Sequence, residues 1–409
     1  MKSLTALTCA VCLVALAPCA YGQHFATLYS ITGNLPVGLT AAKGVLYGAT
    51  SGGGSTGPGG CGTVFEMLPP DSIGGSWAPI VLYSFAVGFG STDACQPLAA
   101  PIVGAGGVVY GVTTQGGVNP PSDFGALYAV QPPAAPGGTW TENVLYNFGT
   151  PATNISTPAS NIVPGPAGSY YVLTTGGDTG PAVLAQLQPP ASPSGPWAAT
   201  TLYSFSNDVF PNSLAAGPNG VLYGTNDNGG RGAPDAVFQL TPPTAPGGAW
   251  TETVIHSFLT RGGGPLNNPI ALTVATDGTI YGTALGYTFS IGSGASGIFQ
   301  LTPPATPGGE WTYTDLTTPT FDRHFDTPVA LVNGNLYGGI SNGNGGSIFE
   351  LQPPSAPGGA WTMTTLHVFK NGQVPTGNLV VQPNGAVYGT TAAAPGQPSG
   401  GTVFTITME

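Results

Sequence analysis

The densest group of polar side chains in the sequence is "FDRHFD", residues 321–326. Asp322, His324 and Asp326 alternate along it, so in an extended segment the three side chains could point one way. They could then bind a metal ion, for which calcium would suit the carboxylates, or the two carboxyls could serve as acid and base. The alternative is a solvated loop in which Asp322 and Arg323 form a weak surface ion pair. We favour the solvated loop, because three ligands from one segment fall short of a calcium shell.

A second polar segment is "NDNGGRGAPD", residues 226–235, which contains Asp227, Arg231 and Asp235. It is only loosely similar to a calcium-binding loop, since it lacks the regularly spaced carboxylates and the terminal glutamate of an EF-hand. With residues 321–326 it supplies the candidate ligand-binding residues. No cofactor is predicted, and calcium is the one metal ion that we keep as an alternative ligand for these loops.

The histidines outside these segments do not indicate a catalytic site. His256 and His367 stand where other copies of a repeated strand have tyrosine, as at Tyr83 and Tyr146, so each is expected to replace an aromatic ring. The sequence contains no G-x-S-x-G turn for a catalytic serine. We therefore predict no catalytic residue.

The composition describes an acidic, glycine-rich chain with few charges. Only 6% of the 409 residues are charged, and 17 acidic against 6 basic residues give a formal charge of −11. The basic residues form no cluster, which argues against nucleic acid and anionic membranes as partners.

The first 22 residues are typical of a secretory signal peptide. Lys2 precedes an apolar run over 4–17, and "AYG" ends at Gly22 with small residues at the cleavage positions. No apolar run is long enough to span a bilayer. The alternative is a lipoprotein, with "LAPC" as the lipidation sequence and Cys19 as the anchor. We expect a secreted, periplasmic or cell-surface protein.

Cleavage would leave two cysteines, Cys61 and Cys95, in an oxidising compartment, which favours one disulfide. The alternative is two separate thiols. Both residues are expected in loops, one between the second and third strands of the first repeat and the other after its fourth strand. These loops leave an antiparallel sheet on the same side, so a bond is attainable.

Seven copies of an "LYG"-like strand indicate a repeat. The tyrosines are 51 to 63 residues apart, at Tyr47, Tyr110, Tyr171, Tyr223, Tyr281, Tyr337 and Tyr388. Each repeat contains four short strand-like runs separated by Gly, Pro, Asn and Asp. Four antiparallel strands repeated seven times predict an all-β, seven-bladed β-propeller.

All six tryptophans end copies of the segment "PPxxPGGxW". The prolines would end the third strand, and the glycines would supply positive φ before the fourth strand begins. In "WTENVLYNF", residues 140–148, alternate side chains form one aromatic face. The tryptophans are thus expected to space the blades, not to form a sugar-stacking platform.

The two ends of the chain predict how the ring closes. Residues 24–31 align with a fourth strand, and the chain ends on a third strand at 402–407. Pairing them would complete the seventh blade and remove two open sheet edges. We therefore expect residues 23–409 to form one domain.

The run "NLYG…GG…GTVFELxPP…GGxWTETVLYSF" resembles the GloVer tandem repeat of choice-of-anchor secreted proteins, over essentially all of residues 24–407. The resemblance implies a secreted or surface-displayed bacterial protein with a propeller-like domain. It implies no activity and no catalytic residue. The third repeat departs from the pattern, with Val172 where other copies have glycine, and no C-terminal sorting helix follows Phe404.

Binding residues most often lie on variable loops of a rigid scaffold. In a propeller, the loops that precede the first strands and those that join the second and third strands share one face, here named the loop face. The short turns share the opposite turn face. We predict a monomer that binds an extracellular protein or glycan at the loop face. The alternative is a secreted carbohydrate-active lyase or hydrolase that uses the Asp, Arg and His side chains of these loops.

Overall fold

A computed structural model of the chain shows seven antiparallel sheets, the blades of one β-propeller, as predicted. The described residues are 22–32, 35–54, 60–72, 75–86, 92–117, 124–149, 155–176, 180–192, 195–206, 209–227, 234–245, 247–258, 266–285, 295–306, 308–320, 323–342, 345–356, 358–393 and 400–408.

The described residues contain 29 strands and three short 3-10 turns. The N-terminal strand is β1 (Gln23–Thr32). Blade 1 contains β2 (Pro36–Ala42), β3 (Val45–Thr50), β4 (Thr63–Leu68) and β5 (Ala78–Ser84). Blade 2 contains β6 (Ala94–Pro97), β7 (Ile102–Val103), β8 (Val109–Gly116), β9 (Ala126–Gln131) and β10 (Thr141–Asn147). Blade 3 contains β11 (Val163–Pro164), β12 (Tyr170–Leu173), β13 (Val183–Gln188) and β14 (Ala198–Ser204). Blade 4 contains β15 (Pro211–Ala216), β16 (Leu222–Asn226), β17 (Ala236–Thr241) and β18 (Thr251–Ser257).

The remaining blades follow the same order. Blade 5 contains β19 (Asn267–Val274), β20 (Ile280–Leu285), β21 (Ser296–Thr302) and β22 (Thr312–Asp315). Blade 6 contains β23 (Ala330–Val332), β24 (Asn335–Asn342), β25 (Gly345–Gln352) and β26 (Thr362–Val368). Blade 7 contains β27 (Val374–Val381), β28 (Val387–Ala392) and β29 (Gly400–Met408). The 3-10 turns are Ala105–Gly107, Pro166–Gly168 and Pro218–Gly220, each between the first and second strands of a blade.

Strands within each blade are hydrogen-bonded in sequence order, from the first to the fourth. First strands of different blades contact one another, as β2 does with β27 and β15 with β19. The first strands therefore lie at the centre of the ring, and the fourth strands form its outer edges. In blade 2 the first strand is divided into β6 and β7, which both pair with β8.

The ring closes as predicted, because β1 supplies the fourth strand of blade 7. It pairs antiparallel with β29, from Gln23 opposite Met408 to Thr32 opposite Gly400. Phe25 of β1 contacts the rings of Phe369 and Phe404, both at a centroid separation of 5.9 Å. Residues from the two ends of the chain thus share one core.

The tryptophans space the blades, as the repeat predicts. Each of five contacts the "LYG" tyrosine of the preceding blade, with ring centroids 5.4 to 6.5 Å apart. The pairs are Trp77 with Tyr388, Trp197 with Tyr110, Trp250 with Tyr171, Trp311 with Tyr223, and Trp361 with Tyr281. The two most regular residues of the repeat are therefore partners across blade interfaces.

The two glycines of the "PGGxW" turn have different roles. Gly137 adopts a φ of 80°, which favours glycine. Gly138 does not, but a Cβ there would lie 2.7 Å from the Cβ of Pro133. Only the first glycine thus supplies the predicted positive φ, and the second allows the turn to fold against its own proline.

The outer strands do not keep the strict alternation expected from the sequence. In β10 the register shifts between Val144 and Tyr146, so Leu145 is a β-bulge. Similar shifts occur in β1, β5, β14, β18 and β26. The bulge moves the residues after it by one place, and Leu145, Tyr146 and Asn147 all become half-buried.

The glycine of the "LYG" strand is required by an aromatic ring on the third strand. Gly48 pairs with Phe65, and a Cβ at Gly48 would lie 2.3 Å from the ring. The third repeat has Val172 in the glycine position, and its partner there is Ala185. In blade 3 the larger Val172 therefore faces the smaller Ala185, where blade 1 has Gly48 facing Phe65, so one residue of each pair is small.

This exchange predicts a strong coupling between the two positions. Gly48→Val alone should lower the free energy of unfolding by about 1–3 kcal/mol through overpacking, and Phe65→Ala alone by about 3–5 kcal/mol. The double variant copies the pair of blade 3, so its loss should be smaller than the sum by about 0.5–3 kcal/mol. Urea unfolding of the four proteins measures the coupling, and simple additivity would show that the ring does not dictate the glycine.

Candidate functional site

The segment that precedes blade 6 is held in place by its backbone and by one buried ring. The His324 N–H donates to the Ser341 carbonyl at 2.8 Å, and the Ser341 N–H donates back at 2.9 Å. The N–H of Phe325 donates to Ser296 Oγ at 2.9 Å. The Phe325 side chain is 2% exposed and packs edge-on against Phe349, with ring centroids 5.5 Å apart. Residues 323–326 are therefore fixed to blades 5 and 6.

This fixed backbone displays charge at the loop face. Arg323 and Asp326 are exposed, and His324 is half-buried. Ser341 Oγ donates a hydrogen bond to the Asp326 carboxylate. Asp322 lies outside the described residues, so the predicted set of three ligands stays a prediction. Among the residues that the structure describes, no group of three or more His, Cys, Asp or Glu could hold a metal ion.

The second predicted loop contributes to a contact between blades. Asp235 is 7% exposed, and its Oδ2 accepts a hydrogen bond from the N–H of Asn268 at 3.1 Å. This bond joins the start of the third strand of blade 4 to the first strand of blade 5. Asp227 is half-buried, and its N–H donates to the Phe210 carbonyl at 3.0 Å. Arg231 lies outside the described residues.

The predicted disulfide is present and joins blades 1 and 2. Cys61 and Cys95 are bonded, with their Cα atoms 4.6 Å apart. Cys61 lies between β3 and β4 as expected, but Cys95 is part of β6 and pairs with Gln115. The sequence predicted that Cys95 lies in the loop after the fourth strand of blade 1, but the first strand of blade 2 already begins at Ala94. Gln96, inside β6, adopts a positive φ of 60°.

Two histidines occupy aromatic positions between blades, as predicted. His256 stacks on Tyr313 at 4.3 Å, and His367 stacks on Phe25 at 3.7 Å. Burial lowers the pKa of His256, which Asp315 partly opposes. Burial also lowers the pKa of His367, and Lys370 adds to this effect. Both histidines are therefore neutral spacers at pH 7.

The sequence did not reveal a group of buried and half-buried acids and tyrosines between blades 1 and 2. Tyr83 donates to Asp93 Oδ2 at 3.1 Å, and the Ala86 N–H donates to the same oxygen at 2.7 Å. Burial raises the pKa of Asp93, and these hydrogen bonds partly offset the rise. Burial and the charge of Asp93 together raise the pKa of Glu142 to about 8. Within the described part of the chain, Glu142 Oε1 and the buried Tyr128 hydroxyl make no hydrogen bond.

One feature of the sequence could have revealed this group. Glu142 belongs to the alternating face that was predicted to lie between blades, where a carboxylate is out of place. Glu252 has the same position in blade 4 and accepts a hydrogen bond from Tyr203 of blade 3 at 3.1 Å. The contact between blades 1 and 2 differs by the presence of Asp93. Because its pKa is raised, the Glu142 carboxyl at this contact keeps a proton near neutral pH and could donate it.

The raised pKa of Glu142 predicts that the protein loses stability as the pH rises. The folded state holds the Glu142 proton up to a pH of about 8, whereas an unfolded carboxyl releases it near its ordinary pKa of 4.5. The free energy of unfolding should therefore fall between about pH 5 and pH 8. Glu142→Gln should flatten this dependence and be the more stable protein at pH 8. Urea unfolding at several pH values measures both slopes, and parallel slopes would exclude Glu142 as the cause.

Comparison with known proteins shows that the chain is similar in fold to several solved structures. No protein-family model and no curated protein sequence matches the chain. An ulvan lyase of a polysaccharide lyase family is 11% identical, with a TM-score of 0.57 over 91% of this chain and 93% of that one. Its structure bound to a GlcA–Rha3S saccharide gives 12% identity and a TM-score of 0.58 over 94% of both chains. A fungal alcohol oxidase in complex with copper is 14% identical, with a TM-score of 0.50 over 94% of this chain and 76% of that one.

None of the helical segments in the described part of the chain has the length and apolar character needed to cross a membrane.

Proposed function

We propose that the protein is a secreted, non-catalytic β-propeller that binds an extracellular protein or glycan through its loop face. The observation that carries this proposal is the segment 323–326. Two backbone hydrogen bonds between His324 and Ser341 and the buried Phe325 ring fix its backbone, while Arg323 and Asp326 are exposed to solvent. A rigid segment loses little conformational freedom when a partner binds, which favours affinity.

The proposed location follows from the sequence and from the disulfide. Residues 1–22 read as a signal peptide, and the Cys61–Cys95 bond suits an oxidising compartment. We further propose that the repeats belong to the GloVer type, that the protein reaches the cell exterior, and that it acts as a monomer. The closed ring supports the last point, because β1 covers the edge of β29 that would otherwise be open to a second copy.

A ligand screen tests the proposal. An array of glycans and polysaccharides, with and without calcium, should contain a charged ligand whose affinity falls as ionic strength rises, since Arg323 and Asp326 are charged. The loop variant with Asp322, Arg323 and Asp326 replaced by alanine should keep its stability within about 0.5 kcal/mol and should lose that ligand. Asp71→Ala, which removes an exposed carboxylate from the proline turn of blade 1 on the turn face, is the control. A charged ligand that binds the loop variant with unchanged affinity would place the site elsewhere, with the central channel as the next candidate.

The second candidate function is a secreted carbohydrate-active enzyme. Glu142 and Asp93 favour it, because a carboxyl that keeps its proton beside a second carboxyl can act as an acid. The likeness to a polysaccharide lyase adds an analogy of fold alone. We expect no new reducing ends and no unsaturated products from a panel of polysaccharides. Turnover that Glu142→Gln abolishes would favour the enzyme instead.

A further inference from the structure

A cleft opens at the outer rim of the turn face, between blades 4 and 5. Its volume is about 800 Å³, within the roughly 300–1,000 Å³ range of small-ligand sites. One wall is the edge strand β18, and the other is the proline turn between β21 and β22. Gly308 and Gly309 of that turn leave the cleft unfilled by side chains. The proline turn that forms this second wall lies on the turn face, opposite the segment 323–326 on the loop face.

Aromatic rings and hydrogen-bonding groups line the cleft together. Trp311 spaces the blades through its contact with Tyr223 at 5.9 Å, but both rings also contribute to the surface of the cleft, so this tryptophan is not a spacer alone. His256, held by its stack on Tyr313, adds an imidazole. Thr253 and Glu310 are exposed there, and each offers oxygen atoms that can accept hydrogen bonds. Apolar ring surfaces beside polar groups suit a sugar, which has both C–H faces and hydroxyls.

Charge restricts the class of sugar. Among the described residues that line the cleft, Glu310 is a carboxylate and none is lysine or arginine. Asp315, which accepts a hydrogen bond from Tyr313 at 2.6 Å, adds a second exposed carboxylate nearby. The whole chain is also acidic, with a formal charge of −11. Uronates and sulfated sugars would be repelled, so the ligand must lack acidic groups.

The edge of β18 does not favour a peptide strand. The register of β18 shifts between His256 and Val254, which leaves Ile255 as a bulge within the wall of the cleft. A bulge twists an edge strand and interrupts the regular row of backbone groups that an added strand would need. Side-chain recognition of a sugar is therefore favoured over strand addition by a peptide.

Glu310, together with His256, makes this cleft chemically different from the corresponding positions of blades 1 to 3. The residue before the tryptophan is Ser76, Thr139, Pro196, Ala249 and Ala360 in the other five segments, but Glu310 here. The position of His256 is tyrosine in blades 1 to 3 and histidine again in blade 6, as His367. We propose that the cleft between blades 4 and 5 binds a neutral glycan, with Trp311 and His256 against the sugar faces and Glu310 accepting hydrogen bonds from sugar hydroxyls.

The test reverts these two residues to those of neighbouring repeats. The reversion variant carries His256→Tyr and Glu310→Ala, so each new residue already occurs at that position in a folded blade. The matched control carries His367→Tyr, the same change in blade 6, and Asp71→Ala, which removes an exposed acid from the proline turn of blade 1. Titration calorimetry would use cellohexaose, laminarihexaose, xylohexaose, mannohexaose and chitohexaose, with hexagalacturonate and hexalysine for comparison.

At least one neutral hexasaccharide should bind the parent protein, with an affinity that does not depend on salt. Its Kd should rise at least about tenfold in the reversion variant, or about 1.4 kcal/mol. The Kd should not change in the matched control or in the loop variant of residues 322–326, which separates this site from the loop face. The proposal is overturned if no neutral hexasaccharide binds, if hexagalacturonate or hexalysine alone binds, or if the reversion variant keeps the parent Kd.

Discussion

A protein that lacks residues 23–31 should lose several kcal/mol of unfolding free energy, on the order of the whole 5–15 kcal/mol margin of a folded domain. These residues are nearly all of β1, which supplies the fourth strand of blade 7. Their removal would expose the edge of β29 and the faces of Phe369 and Phe404 that Phe25 covers. It would also expose the pocket of buried Ile31, a member of the core between blades 7 and 1.

The comparison is made by urea unfolding of the truncated and parent proteins. A synthetic peptide of residues 22–32 serves as the control, because it should bind the open edge of the truncated protein and raise its melting temperature. An equally stable truncated protein, or a peptide without effect, would mean that the two ends of the chain do not close the ring.

Replacing both Cys61 and Cys95 by serine should lower the free energy of unfolding by about 3 to 4 kcal/mol. The bond closes a loop of 34 residues, and this length sets the entropy that it removes from the unfolded chain. The same bond ties β6 to the loop of blade 1, where the Gln96 N–H also donates to the Cys61 carbonyl at 2.8 Å. Local opening between blades 1 and 2 should therefore become more frequent.

Reduction of the parent protein is the matched control for the serine variant, and the two should unfold at the same urea concentration. Intact mass after alkylation, with and without reductant, reports the bond directly. Two alkylatable thiols in unreduced secreted protein would contradict the bond.

The architecture was predictable from the sequence because the repeat contains prolines and glycines, which restrict the backbone conformation at fixed places. The spacing of the "LYG" tyrosines gives the number of blades, and the prolines and glycines before each tryptophan mark where strands end. The partial repeats at the two ends gave the closure. Each of these signals is visible in the order and type of the residues, so one sequence was enough.

The contacts between blades were less predictable, since they join residues from different repeats. The sequence predicted that Asp235 is a ligand-binding carboxylate in a loop. In the structure it is buried against the first strand of the next blade. The pairing of Asp93 with Tyr83, and their proximity to Glu142, depends on the way in which blade 2 meets blade 1. The bulge at Leu145 also escaped prediction, because an alternating pattern does not reveal an inserted residue.

The most direct test of the proposed function is the amide hydrogen-exchange footprint of the charged ligand from the array. Binding at the loop face predicts slower exchange in peptides that contain residues 323–326 and the neighbouring Ser341. Peptides that contain residues 308–311, in the proline turn of blade 5 on the turn face, should exchange at the same rate with and without this ligand. Protection confined to the central strands or to the turn face would contradict a loop-face binding site.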